Sequence, residues 1–189
     1  MDRIKRISMF FRVIFQLCFI LEPIFVVIAW LNIPNTIKLF SGIVQFNSIP
    51  TAYTKLHLST PLIMHTLSLS EKLLGFLINC IPLSIDMFMM YSLIQLFRLY
   101  ELGKIFTQNN IRYIRNIAYA LLLGQLVAPI CDGFTGMVLT WNNPHGHRLA
   151  AFGFEQSNIW TLLIAGFLLL ISWIMAEGYK LHEEHTLTV

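Results

Sequence analysis

Three carboxylic acids lie inside long apolar stretches of the sequence, where an ionisable side chain is costly. They are Glu22, Asp86 and Asp132, and each has a proline nearby in the chain: Pro23, Pro82 and Pro129. An ionisable group at the depth of a bilayer costs roughly 2.5 to 3.5 kcal/mol on insertion scales, so each acid needs a compensating interaction. Prolines leave backbone carbonyls without a helical donor, and free carbonyls beside carboxylates bind cations in some transporters. The three acids therefore form a candidate proton or cation site.

Other interpretations of these acids remain open. Protonated acids could form hydrogen bonds across the helices and fix the helix register, using the side chains of Gln16, Asn79, Ser84, Gln95 and Gln125. Glu22 and Asp132 could instead lie close to the outer membrane surface, where ionisation costs less. No lysine or arginine lies at a matching depth, so we expect no ion pair within the membrane.

Histidine and cysteine give weaker signals. His145 and His147 lie in one turn, and imidazoles can ligate Zn or Cu, but an H-x-H pair alone favours solvated histidines over a metal site. The three cysteines lie in apolar runs without a C-x-x-C pair, which is typical of buried apolar side chains. Signatures of hydrolases, zinc peptidases and nucleotide-binding enzymes do not occur in the sequence. We therefore predict no enzyme activity, no metal and no cofactor.

Four long apolar runs must position these side chains. Only 12% of the 189 residues are charged and 56% are hydrophobic, whereas soluble domains carry about 25% charged residues. A helix crosses a bilayer with about 20 mostly apolar residues and satisfies its own backbone in hydrocarbon. The sequence predicts an all-α membrane protein, a four-helix transmembrane bundle forming one domain. The predicted spans are residues 7–31, 73–96, 114–141 and 158–178.

The distribution of lysine and arginine predicts the orientation of the bundle. Nine of the 13 basic residues lie near the start of the first span, beside the connection between the second and third spans, or near the C-terminal end. Basic residues collect on the cytoplasmic side of membrane proteins. We therefore expect both termini to be cytoplasmic, together with an elbow at residues 97–113 and a tail at residues 179–189.

The outer segments, residues 32–72 and 142–157, contain turn signals and short alternating stretches. The stretches "SGIVQFNSI" and "RLAAFGFEQ" alternate partly with a period of two, and "NNPHG" is typical of a turn. We predict a small extracytoplasmic β layer, with a strand near residues 42–47 and a hairpin around residues 142–146. An irregular loop is the alternative.

The elbow and the tail carry a family resemblance. The stretches "LFRLYELGKIFTQNNIRYIRNI" and "MAEGYKLHEEHTLTV" resemble the bacterial membrane family known as domain of unknown function 2975, or DUF2975. The matching residues are Arg98, Tyr100, Gly103, Phe106, Asn110 and Arg115 in the first stretch and Gly178, Leu181, Glu183, Glu184, Leu187, Thr188 and Val189 in the second. The resemblance implies four spans in a bacterial inner membrane, no established reaction, and a gene often found beside that of a small helix-turn-helix regulator.

The elbow and the tail also share a local pattern. "YELGK" and "AEGYK" each place an acid before a glycine and a lysine after it. Glycine accepts the left-handed conformation that ends a helix, so we expect Gly103 and Gly178 to terminate helices. Thr107 and the Gln-Asn-Asn that follows it could cap the next helix, which carries Ile111, Ile114 and Ile117 into the third span. A duplicated helical hairpin and convergence on one helix-stop chemistry explain the pattern equally well.

Two function classes follow from these features. The first is a non-enzymatic sensor or interaction protein, whose elbow and tail present a cytoplasmic docking surface to a regulator protein. The docking residues that we expect are Arg98, Tyr100, Gly103, Phe106, Asn110, Arg115, Gly178, Glu183 and Glu184. The second is a small proton- or cation-coupled transporter that uses Glu22, Asp86 and Asp132. The other partners that we expect are the lipid bilayer and a second copy of the chain, because small residues in span three allow close helix packing. We expect no direct nucleic-acid binding, since topology and anionic lipid explain the basic elbow.

Overall fold

Four helices account for most of the described chain. The structure is a computed structural model that describes residues 2–31, 67–104, 107–144, 148 and 156–187. The helices are α1 (Asp2–Leu31), α2 (Leu69–Glu101), α3 (Gln108–Leu139) and α4 (Gln156–Leu187). No strand occurs among the described residues. The predicted all-α class is confirmed.

All four helices are long and apolar enough to cross a membrane. They contain 30 to 33 residues each. At 1.5 Å per residue such helices are about 45–50 Å long, whereas the hydrocarbon core of a bilayer is about 30 Å thick. The helices therefore extend beyond the predicted spans, and much of the polar sequence beside each span continues its helix.

The predicted β layer has no support. Its strand near residues 42–47 lies outside the described residues, as do residues 145–147 of the predicted hairpin. The first part of that hairpin is a turn that ends α3, because the N–H of Thr140 donates to the carbonyl of Gly136 at 3.1 Å and the N–H of Asn143 donates to that of Thr140 at 3.0 Å. Asn142 and Asn143 therefore lie in the turn after α3, not in a turn between two strands.

The chain divides into two compact units, and α1, α2 and α3 each contribute residues to both. Each unit has its own apolar core. The first unit comprises Met1–Ile20, Ile85–Gln125 and Glu155–Val189. Its core is built on Leu96 of α2 and on Ile114 and Ile117 of α3. Leu168 and Met175 of α4 pack against these side chains.

The second unit comprises Leu21–Ser84 and Leu126–Phe154, and its core contains Val26, Trp30 and Leu139. Trp30 is only 5% exposed. The indole lies so close to Gly75 that an added Cβ there would overlap Trp30 Cη2. Glycine at position 75 therefore allows α2 to approach the tryptophan.

Candidate functional site

Helix α2 ends in a glycine-based stop at the elbow. Gly103 has a φ of 75°, in the left-handed region. Its N–H donates to the carbonyl of Tyr100 at 3.0 Å, and the N–H of Lys104 donates to that of Leu99 at 3.0 Å. This pair of hydrogen bonds satisfies carbonyls that the end of a helix leaves open. The predicted helix end at Gly103 is confirmed.

The first turn of α3 forms a hydrogen bond to the turn that follows α2. Asn110 is completely buried, and its Nδ2 donates to the carbonyl of Lys104 at 2.5 Å. The N–H groups of Asn110 and Ile111 donate to the carbonyl of Thr107 at 3.0 and 3.3 Å, and α3 begins at Gln108. Within the described chain, Thr107 Oγ1 has no hydrogen-bond partner, so the predicted cap by the Thr107 side chain is wrong. The Asn110 amide, rather than the threonine hydroxyl, ties the two helix ends together.

An ion pair and stacked aromatic rings attach α1 to the end of α2. Arg12 Nη1 lies 3.0 Å from Glu101 Oε2, and the two side chains are 26% and 27% exposed. Phe11 and Phe15 stack on Phe97, with ring centroids 5.4 and 5.6 Å apart. The last turn of α2 is therefore fixed by α1 as well as by the start of α3.

Four basic side chains of the elbow are exposed: Arg98, Lys104, Arg112 and Arg115. None of them makes an ion pair with another residue in the part of the chain that the structure describes. The opposite side of α3 is apolar and buried, with Ile111, Ile114 and Ile117 at 6–9% exposure. The described parts of the elbow, residues 97–104 and 107–113, thus combine hydrogen-bonded helix ends with outward cations. Phe106, predicted to be part of this surface, lies outside the described residues.

The tail differs from the elbow. Helix α4 continues through Gly178 to Leu187, so the predicted helix end at this glycine is wrong. A Cβ added at Gly178 would meet no atom within 4 Å. Glu177 and Lys180 form an exposed pair 3.6 Å apart on the surface of the helix. Glu183 and Glu184 lie in its last turns, and the structure places them on a helix that extends past the predicted span.

The three acids of the candidate intramembrane site differ in burial. Glu22 is 6% exposed, whereas Asp86 and Asp132 are partly buried. Glu22 and Asp132 belong to the second unit and each has an interaction partner. Asp86 belongs to the first unit. Helices α1, α2 and α3 continue through the prolines near these acids, so none of the three helices ends at its proline.

Three hydroxyl groups, buried at Ser92 and Thr135 and exposed at Ser84, donate to carbonyls of their own helix. Ser92 donates to the carbonyl of Phe88 at 2.9 Å, and Thr135 donates to that of Cys131 at 2.8 Å. Ser84, one of the predicted partners for the acids, donates to the carbonyl of Ile81 at 2.6 Å. Such bonds let polar residues lie in an apolar helix without a partner on another helix.

Glu71 is a buried carboxylate that the sequence analysis did not single out. Its Oε2 accepts from the N–H of Ser68 at 2.7 Å, and its own N–H donates to Ser68 Oγ at 3.3 Å. Its Oε1 accepts from Asn142 Nδ2 at 2.7 Å, which joins the start of α2 to the turn after α3. The first two bonds form a capping box, and the sequence "SLSE" carries that signal.

The described residues contain no group of three or more histidine, cysteine, aspartate or glutamate side chains that could hold a metal ion. His145 and His147, the candidate ligands, lie outside the described residues.

Comparison with known proteins identifies the family. The sequence profile of DUF2975, described as a protein of unknown function, matches residues 26–189. The match includes the elbow, the tail and part of α1, and it reaches further towards the N-terminus than the motifs that suggested the resemblance. No curated protein and no solved structure matches the chain. Since the matched residues make up most of its length, the chain belongs to the DUF2975 family, whose function is unknown.

Proposed function

We propose that this protein is a non-enzymatic membrane sensor or interaction protein with a cytoplasmic docking surface. The docking surface consists of the elbow at residues 97–113, Arg115 just after it on α3, and the end of α4 at residues 177–187. The supporting observation is the way in which buried contacts hold the elbow: Asn110 closes onto the Lys104 carbonyl at 2.5 Å, and Gly103 turns the chain with a φ of 75°.

A fixed elbow is suited to recognition. Binding is weakened when flexible groups must become ordered, so a surface that is already ordered loses less entropy. The exposed cations Arg98, Arg112 and Arg115 extend from helices rather than from a loop. Their charge favours a partner with an acidic surface, because complementary charge accelerates and orients association.

The proposed orientation places this surface in the cytoplasm of a bacterium, with both termini on the same side of the inner membrane. The basic residues collect at this end of the helices, as they do on cytoplasmic faces. A small helix-turn-helix regulator is the partner suggested by the family resemblance. Labelling of Lys104→Cys in intact cells tests the orientation: a membrane-impermeant maleimide should react only after the cells are opened.

The docking proposal is tested by cross-linking full-length protein in native membranes and identifying the proteins captured. In Arg98→Gln/Arg112→Gln/Arg115→Gln, a specific cytoplasmic partner should be lost. Removal of residues 178–189 should weaken the same capture. Arg148→Gln, which removes an exposed cation of the second unit, is the control and should retain the partner. Unchanged capture by the triple variant would refute docking at the elbow.

An ion-coupled transporter is the second candidate, and the burial of Glu22 supports it. A carboxylate that is 6% exposed in an apolar helix must be neutral, paired or bound to a cation. Asp86→Asn should abolish proton- or cation-linked flux in proteoliposomes while leaving the helix content unchanged. If the unaltered protein gives no flux above that of empty vesicles, this candidate is excluded.

The small residues of α3, which suggested packing between two copies of the chain, pack within one chain instead. Gly133 and Gly136 are buried within the single chain, and Gly124 lies near Ile85, where an added Cβ would be 3.7 Å from Ile85 Cγ2. These glycines therefore serve packing within one chain. The oligomeric state can be measured by mass photometry in nanodiscs.

A further inference from the structure

The first turns of α1 combine exposed cations with exposed apolar side chains. The three cations are Arg3, Lys5 and Arg6. Three apolar side chains on the same turns are 48%, 56% and 64% exposed, namely Ile4, Ile7 and Phe10. From residue 3 to residue 11, only Ser8 is buried. Nearly every side of this helical segment is therefore open to its surroundings.

The length of α1 places this segment at the edge of the hydrocarbon. Residues 13–31 contain a single charged residue, Glu22. These residues are sufficient for one span, because about 20 apolar residues cross a bilayer core. The helix begins at Asp2 and is continuous, so residues 3–12 extend from the same span without a break. With residues 13–31 as the span, we expect residues 3–12 to reach the level of the lipid headgroups.

No ion pair joins Arg3, Lys5 or Arg6 to a side chain that the structure describes. Asp2 is the only acid among the first 21 residues. In the first unit, Glu101 is paired with Arg12 and Glu177 with Lys180. The start of a helix also carries partial positive charge, so three cations there repel it and one another. An external anionic surface would relieve this repulsion.

We propose that residues 3–12 of α1, the N-terminal basic segment, bind the headgroups of anionic phospholipids. Guanidinium and ammonium groups bind phosphate, and basic clusters beside a span attract anionic lipid. The apolar side chains between them favour a lipid over a protein, because the boundary between headgroups and acyl chains accepts both kinds of side chain. By contrast, the exposed side chains one turn before Arg112 on α3 are the polar Gln108 and Asn109. The segment lies outside the family match and does not depend on the docking proposal.

The experiment measures which lipids remain bound to the protein. Full-length protein is reconstituted in vesicles of equal parts phosphatidylglycerol and phosphatidylcholine, extracted gently, and examined by native mass spectrometry. Phosphatidylglycerol should be retained preferentially. In Arg3→Gln/Lys5→Gln/Arg6→Gln this preference should fall by roughly tenfold or more, because each cation near an anionic surface contributes to binding. Extraction at about 1 M salt should also reduce it, since the Debye length then falls to about 3 Å.

Two matched variants make the result specific. Arg98→Gln/Arg112→Gln/Arg115→Gln removes the same number of charges from the elbow and should lower the preference by less than the N-terminal triple variant does. Arg3→Lys/Lys5→Arg/Arg6→Lys keeps the charge and should behave as the unaltered protein. Equal retention of the two lipids by the unaltered protein would overturn the proposal, and so would an equal loss in the elbow variant. The N-terminal triple variant could also keep the lipid preference but lose a protein that is captured by cross-linking in native membranes. That result would assign the segment to a protein partner and overturn the proposal. If the glutamine triple variant fails to fold, each single substitution should give a graded loss, and no loss in any of them would also overturn the proposal.

Discussion

The elbow and the tail contain similar sequences but only one of them ends a helix. In "YELGK", Gly103 adopts a φ of 75° and α2 ends two residues earlier, at Glu101. In "AEGYK", Gly178 is inside α4, which continues to Leu187. A glycine beside charged residues permits a helix end but does not impose one.

The residues that follow each glycine explain the difference. After Gly103 the chain reaches Thr107 and Asn110, and the Asn110 amide binds the carbonyl of Lys104. After Gly178 come Lys180, Leu181 and two glutamates, which favour helix. A glycine inside a helix costs about 1 kcal/mol relative to alanine, and the hydrogen bonds of the continuing turns offset it. Helix α2 therefore ends where the N–H groups of Gly103 and Lys104 satisfy its last carbonyls and the Asn110 side chain holds the turn that follows.

The largest effect is expected from Asn110→Ala. The substitution removes a buried donor from the Lys104 carbonyl and should lower the free energy of unfolding by about 1–3 kcal/mol. Thermal unfolding in detergent, followed by circular dichroism, measures the change. Asn109→Ala, at an exposed neighbouring position, is the control and should have little effect. Equal stability of the two variants would mean that the amide does not hold the elbow.

Gly103→Ala should be nearly as damaging. A Cβ at a φ of 75° costs about 1–2 kcal/mol, because the left-handed region crowds it against the backbone. The same unfolding measurement applies, and Leu102→Ala, at a 60% exposed site, serves as the comparison. A Gly103→Ala variant as stable as the unaltered protein would remove the conformational argument for this glycine.

Gly178→Ala should act in the opposite direction. Nothing lies within 4 Å of the added methyl group, so the substitution should stabilise α4 by about 0.5–1 kcal/mol through helix propensity. Hydrogen exchange of the amides at residues 176–182 should become slower. Faster exchange would show that the glycine has a left-handed conformation in solution, as at the elbow.

The smallest effects on stability are expected from substitutions of Glu101 and Glu177, the acids of the two ion pairs. Glu101→Gln breaks a partly buried pair with Arg12 and should cost up to about 1 kcal/mol, whereas Glu177→Gln breaks an exposed pair and should cost about 0.3 kcal/mol or less. Raising the salt concentration should reduce the first effect only slightly, because partly buried pairs are screened less. Equal effects of the two substitutions would mean that the Arg12 contact adds nothing to the elbow.

Hydropathy was sufficient to predict the four helices, because each must satisfy its backbone in an apolar environment. It did not predict where they end, since charged residues such as those after Gly178 continue a helix beyond the membrane. The capping box at Ser68 and Glu71 was readable from "SLSE" but lies outside the predicted second span. Contacts such as Asn110 to Lys104 could not be predicted, because they depend on how two helix ends meet.

The contact between Trp30 and Gly75 gives the protein a built-in spectroscopic probe. Trp30 is 5% exposed, whereas the other three tryptophans, Trp141, Trp160 and Trp173, are 60–65% exposed. With those three replaced by phenylalanine, the remaining emission should be blue-shifted and insensitive to brominated acyl chains. Its wavelength would then report the seating of α2 on the indole within the second unit, without an added label.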